Sequence, residues 1–253
     1  MGADGRRRRR GGSRPVRRRA GASLVSSPRR DRRRAAAARS GRRRVVVWSA
    51  AAIVVLAAAV VAAVLLWPRA AVPVSDRIDP ETGAISLGTG AHEVDVVVDL
   101  HCPVCAQFDE LYVPVIEGAV TQGVATLRLH PVAVLDSTSA GAEYSTRAAN
   151  ATYCVAVADA DAVLPFVREL MTHQPDAGAA LTDANLIRAA ANVGVTGVDD
   201  CVTGRAYAAF VADATARAQS ASGGELTPPV LVIDGETVAI TGDPAADVTA
   251  RLG

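Results

Sequence analysis

The sequence predicts an α/β domain carrying a helical insertion, preceded by one transmembrane helix and a disordered basic tail. Three observations lead there. A β-branched apolar run, Val94 to Leu100, passes through Cys102-Pro103-Val104-Cys105 into an apolar stripe at helical spacing: Phe108, Leu111, Tyr112, Val115 and Ile116. Residues 140–222 are alanine-rich with apolar residues at helical spacing, and strand-like runs return only after them. Val45 to Trp67 is a stretch of 23 residues without a charge.

The near-zero net charge hides a split. Residues 1–44 hold 18 arginines and two acids, and the rest of the chain holds nine basic and 24 acidic residues. The tail has too little apolar content for a core and reads as disordered. Such a tail suits nucleic acid, anionic lipid or a topology signal. The arginines run up to the apolar segment without interleaved aromatics, which favours the topology signal and no nucleic-acid partner. Residues 45–67 reach across a hydrocarbon core of roughly 30 Å as a helix, with Trp48 and Trp67 near the ends. A cleaved signal peptide would have a much shorter basic region, so the segment reads as an uncleaved signal-anchor. The arginine excess puts the N-terminus in the cytoplasm and the rest of the chain outside a single-pass cell membrane, where disulfides persist.

Residues 68–83 form a linker, and residues 84–253 form the outer domain. A short strand over 84–87 precedes the strand at 94–100, a helix over about 103–120 interrupted by Pro114, and a strand over 124–134. The insertion, about 140–222, offers helices at 141–158, 161–173, 182–193 and 202–220, with Asp161, Thr182 and Asp200 as N-terminal caps. Strands at 229–233 and 237–240 flank Asp234-Gly235, a tight hairpin signal. Asp243-Pro244 opens a last helix to about Leu252.

Pro103 suits the first helical position, so Cys102 lies at the helix N-terminus, where backbone N–H groups favour a thiolate. Cys105 falls one turn further in and suits a resolving role. A structural disulfide or a zinc site would use the same two residues, but zinc needs further ligands, and His92, His101 and His130 follow no ligand pattern. A strand, Cys-x-x-Cys and helix in that order make a redox site. His101 precedes the first cysteine and, as a cation, would lower its pKa; a rim residue of no consequence is the alternative. Cys154 and Cys201 read as a structural disulfide between insertion helices, closing 48 residues and contributing about 4 kcal/mol in the chain-entropy model. A second, electron-relaying pair is the rival reading. No phosphate loop, nucleophilic serine constellation or paired acid site stands out, and no cofactor or metal is expected.

The strand ending Asp99-Leu100-His101, the Cys-Pro-x-Cys motif, the helical insertion and Leu226-Thr227-Pro228-Pro229-Val230 ahead of a hairpin resemble the DsbA-like thiol–disulfide oxidoreductases, of thioredoxin-like fold and membrane-anchored bacterial type. The resemblance covers about residues 84–252. It implies catalysis by Cys102 and Cys105. It also implies a cis bond between Thr227 and Pro228, with both residues holding an extended substrate. Many relatives carry a buried acid six residues before the first cysteine; here that residue is Val96. Asp99 matches an acid found three residues before the motif, and Asp99 or water is then left to move the proton.

The implied activity is an extracytoplasmic oxidase acting on the thiols of unfolded secreted proteins and reoxidised by a quinone-linked membrane partner. A reductase or isomerase would use the same site, and a non-enzymatic binding or assembly factor would use the fold without the thiols.

Overall fold

The computed structural model describes residues 75–176 and 178–253. The basic tail at 1–44, the apolar segment at 45–67 and most of the linker lie outside them. No helix among the described residues is long and apolar enough to cross a membrane.

Five strands form one sheet: β1 (Ile85–Leu87), β2 (His92–Asp99), β3 (Ala125–Val132), β4 (Val230–Ile233) and β5 (Glu236–Val238). Their spatial order is β1-β3-β2-β4-β5, with β2 parallel to β3 and every other pairing antiparallel. The parallel pair requires a crossover, and α1 (Pro103–Thr121) supplies it. Val94, Val96 and Val98 of β2 are buried, while Asp95 between them meets His130 Nε2 at 2.7 Å and Arg128 Nε at 3.4 Å. This two-residue alternation sends Asp95 to the face opposite Val96.

On α1 the buried set is Cys105, Phe108, Asp109, Tyr112, Val113 and Ile116. Leu111, expected in the stripe, is 51 % exposed, and Val113 takes its place in the core. Pro114 lies within α1 and leaves one carbonyl of the preceding turn without its helical donor. The Tyr112 hydroxyl donates to Asp247 Oδ2 at 2.6 Å and accepts from Gly242 N at 2.7 Å, which fastens the C-terminal segment to the helix that carries both cysteines.

The insertion contains α2 (Tyr144–Ala158), α3 (Val163–Thr172), α4 (Asp183–Asn192), α5 (Asp199–Thr203) and α6 (Ala208–Ala221). The single helix expected over 202–220 is two helices. Arg205 takes the left-handed conformation (φ 55°), and its guanidinium reaches Val202 O at 2.7 Å and Asp183 Oδ2 at 2.9 Å. Asp200 accordingly sits inside the first turn of α5 instead of capping a later helix. Thr182 caps α4 in a reciprocal box with Asn185. Asp159, not Asp161, caps the short turn before α3. Asp234 (φ 50°) and Gly235 (φ 81°) are both left-handed, as a two-residue hairpin turn of this twist needs. Asp243 accepts from Ala245 N and Ala246 N and opens the final turns, Ala245–Thr249 and α7 (Ala250–Leu252).

Candidate active site

The site forms where β2 gives way to α1. Cys102 is the N-cap of α1, and its sulfur accepts from Cys105 N at 3.4 Å. Both cysteines are free thiols, Cys102 6 % exposed and Cys105 fully buried, while Val104 between them is 57 % exposed. Cys102 is therefore less open than a helix-end position implies, yet it is the more accessible of the two sulfurs.

Their electrostatics diverge. The Cys102 thiol is pulled down to about 6 from its ordinary 9.0, first by a hydrogen bond from the Cys105 thiol and then by the backbone N–H groups of Cys105 and Val104. Burial and the neighbouring Asp99 oppose the shift. The Cys105 thiol is pushed far up, first because its proton is held by Cys102 and then by burial. One sulfur is thus made a thiolate and the other a thiol.

Asp99 is completely buried, and burial raises its pKa. Its carboxylate accepts from His101 N at 2.9 Å, Ser145 Oγ at 2.7 Å, Val134 N at 2.8 Å and Leu135 N at 2.9 Å. Four donors make it a tie between the end of β2, the end of β3 and α2. His101 turns inward, its Nδ1 3.1 Å from Thr138 Oγ1 and its ring edge-on to Tyr144.

The segment before β4 closes the site. The Pro228 carbonyl lies 3.6 Å from Cys102 Sγ and accepts its hydrogen when Cys102 is protonated. Pro228 is buried and Thr227 is exposed. The cis bond joins Pro228 to Pro229, one residue later than expected between Thr227 and Pro228. The expected start of β4 is Pro229; the strand begins at Val230, paired with Val97, so the whole entry to the strand shifts by one residue.

Two contributors have no local sequence signal. Gln174, just past α3, donates from Nε2 to Leu100 O at 2.9 Å and Cys102 O at 3.1 Å, holding the insertion to the turn that carries Cys102. Asp109, one helical turn beyond Cys105, is buried with Arg168 Nε 3.9 Å away, and burial raises its carboxyl to about 6. Cys154 and Cys201 are bonded and join α2 to α5. Among the described residues no three His, Cys, Asp or Glu side chains converge on a metal position.

A thioredoxin family model matches residues 86–248. The chain belongs to the thioredoxin family. Solved structures similar to this family member are DsbA-type enzymes. Oxidized DsbA of Mycobacterium tuberculosis is 28% identical with a TM-score of 0.59, over 67% of this chain and 90% of that one. The reduced disulfide bond oxidoreductase DsbG of Mycobacterium tuberculosis is also 28% identical, with a TM-score of 0.58 over 71% of this chain and 84% of that one. The thiol–disulfide oxidoreductase MdbA of Actinomyces oris, at 23% identity and a TM-score of 0.59 over 72% of this chain and 88% of that one, shares the fold. No curated protein matches the chain.

Proposed function

We propose that this thioredoxin-family chain is an oxidase that introduces disulfides into unfolded secreted proteins, anchored by residues 45–67 with the domain from residue 84 outside the membrane. The observation that carries the reading is the split between a Cys102 thiol lowered to about 6 and a Cys105 thiol pushed up. In the oxidised enzyme a substrate thiolate attacks the Cys102 sulfur. A mixed disulfide forms, the Cys102–Cys105 bond breaks, and Cys105 leaves as a thiolate that takes up a proton. A second substrate thiolate then attacks the substrate sulfur of the mixed disulfide and expels the Cys102 thiolate. The substrate leaves oxidised, with its two electrons on the enzyme, and a quinone-linked membrane partner removes them.

A lowered thiol pKa stabilises the reduced enzyme and so strengthens the oxidant. The contribution is complete above pH 9 and is lost as pH falls through about 6. At pH 7 it amounts to roughly 1.4 kcal/mol, or ~30 mV in a two-electron couple. That is a fraction of the ~150 mV separating a reductant such as thioredoxin from a strong oxidant such as DsbA. Direction therefore rests also on the compartment and on the reoxidising partner. The likeness to a DsbG structure favours a second reading, an isomerase working the same pair from its reduced form.

Equilibrating residues 70–253 with glutathione redox buffers separates the two directions. An oxidase is expected to lie above about −180 mV, with Cys154–Cys201 still oxidised where Cys102–Cys105 is reduced. A potential near about −270 mV would reverse the direction, and reduction of both pairs together would make the second pair a relay.

A further inference from the structure

The turn that carries Cys102 has its donors and its acceptors held by different parts of the molecule. His101 N and Cys102 N both donate to Asp99, the first to its carboxylate at 2.9 Å and the second to its carbonyl at 3.0 Å. The carbonyls of Leu100 and Cys102 accept instead from Gln174 Nε2, at 2.9 and 3.1 Å. Among the described residues, Gln174 is the one side chain of the insertion that hydrogen-bonds the main chain of residues 100–102. A carbonyl points where the ψ of its own residue sends it, so one amide nitrogen fixes ψ on both sides of His101. Cys102 is extended there, with φ −86° and ψ 116°, and in that conformation its sulfur accepts from Cys105 N at 3.4 Å. The N–H groups of Val104 and Cys105 favour charge on the sulfur they face. Gln174 has two amide hydrogens for three acceptors, because Met171 Sδ also lies 3.2 Å from Nε2. A thioether is a weak acceptor beside two carbonyls, so the hydrogens belong to the turn and Met171 packs alongside.

We propose that Gln174 is a positioning residue for Cys102: its side-chain amide locks the carbonyl directions of Leu100 and Cys102, and so holds the Cys102 sulfur against the N–H groups of Val104 and Cys105. The inference rests on the reading that Cys102 is the thiolate of the pair. It makes the helical insertion, through one side chain just past α3, a determinant of how strong an oxidant the pair is. Without the amide the two carbonyls turn toward other donors, the N-cap conformation relaxes and the sulfur loses its N–H partners.

The test follows alkylation of Cys102 by iodoacetamide against pH in the full-length reduced protein, with the Cys102 peptide resolved by mass. The parent is expected to show a midpoint near pH 6. Gln174→Leu keeps the bulk without the donor and is expected to move the midpoint up by about 0.5 to 1 unit, roughly a 3- to 10-fold loss in ionisation constant. The constant for reduction of the pair by glutathione at pH 7 is expected to fall about 2- to 5-fold with it. Met171→Leu disturbs the packing at the same junction but leaves both hydrogens to the carbonyls, and is expected to keep the parent's midpoint. Gln174→Asn draws the amide back by one methylene; it is expected to move the midpoint the same way as Gln174→Leu and decides the matter if that variant does not fold. A midpoint near 6 in the parent and in both Gln174 variants would overturn the role of Gln174 alone. An equal rise in Met171→Leu would do the same, because packing and not the amide would then be the cause. A parent midpoint near 9 would overturn the reading of Cys102, and this inference with it.

Discussion

Cys102→Ser is expected to reduce thiol–disulfide exchange to the uncatalysed level, whereas Cys105→Ser is expected to trap mixed disulfides. The two outcomes differ because the proposed mechanism gives the two sulfurs different tasks. The thiolate is the nucleophile and the point of attack, and a serine hydroxyl in its place offers neither. Cys105 acts after substrate is attached, when its thiolate attacks the mixed disulfide in the reverse direction and frees the enzyme. Serine at 105 removes that escape and leaves Cys102 able to react. Non-reducing gels of cells carrying each variant read the result directly. Ladders of trapped partners with Cys105→Ser and none with Cys102→Ser is the expected pattern. Cellular function retained by Cys102→Ser would instead favour a binding or assembly factor that uses the fold without the thiols.

The second large effect is on stability. Replacing both Cys154 and Cys201 by alanine opens a 48-residue loop in the unfolded chain, worth about 4 kcal/mol in the chain-entropy model and roughly 2–5 kcal/mol by the experience of native disulfides. The bond joins α2, the most buried helix of the insertion, to α5, a helix of five residues whose one buried side chain is Val202. Two contacts from the buried Asn150 side chain brace the same junction, donating to Val202 O and accepting from Tyr207 N. For a domain of this size each kcal/mol moves the melting temperature by about 2–4 °C, so a fall on the order of 10 °C is expected by calorimetry. An unchanged melting temperature would show that Asn150 and the surrounding core suffice. The site should respond little in its exchange chemistry, because neither cysteine approaches the catalytic turn in the hydrogen-bond network described above.

What the sequence reveals follows the range over which each feature is determined. The catalytic turn is local: Pro103 at the first helical position, a β-branched run before it and an apolar stripe after it identify both the elements and the two cysteines. The Asp234-Gly235 hairpin and the Thr182 cap are local too, each set by the φ preferences or side-chain reach of one or two residues. The entry to β4 falls one residue away from its expected place because two adjacent prolines both satisfy a strand-edge pattern, and only the pairing of Val230 with Val97 decides between them. The break between α5 and α6 depends on Arg205 reaching Asp183, a partner on another helix. Gln174 and Asp109 carry no periodic or motif signal. Their roles come from what tertiary packing sets beside them: the carbonyls of Leu100 and Cys102 for the one, apolar burial beside Arg168 for the other. Asp99 stands out in the sequence as a residue beside the motif, but its four donors tie three elements together in a way no spacing announces.

The turn at Cys102 stabilises a thiolate there and not at Cys105. Titrating thiolate absorbance in the reduced protein tests it most directly. One sulfur is expected to ionise near pH 6 and a second to stay protonated well beyond the ordinary thiol range; the first is expected to move up in Cys105→Ala, which removes the thiol hydrogen that Cys102 accepts, and to move less in Cys105→Ser, which keeps an O–H donor. Two thiols ionising together near 9, with Cys102 unmoved by either substitution, would be the opposite result.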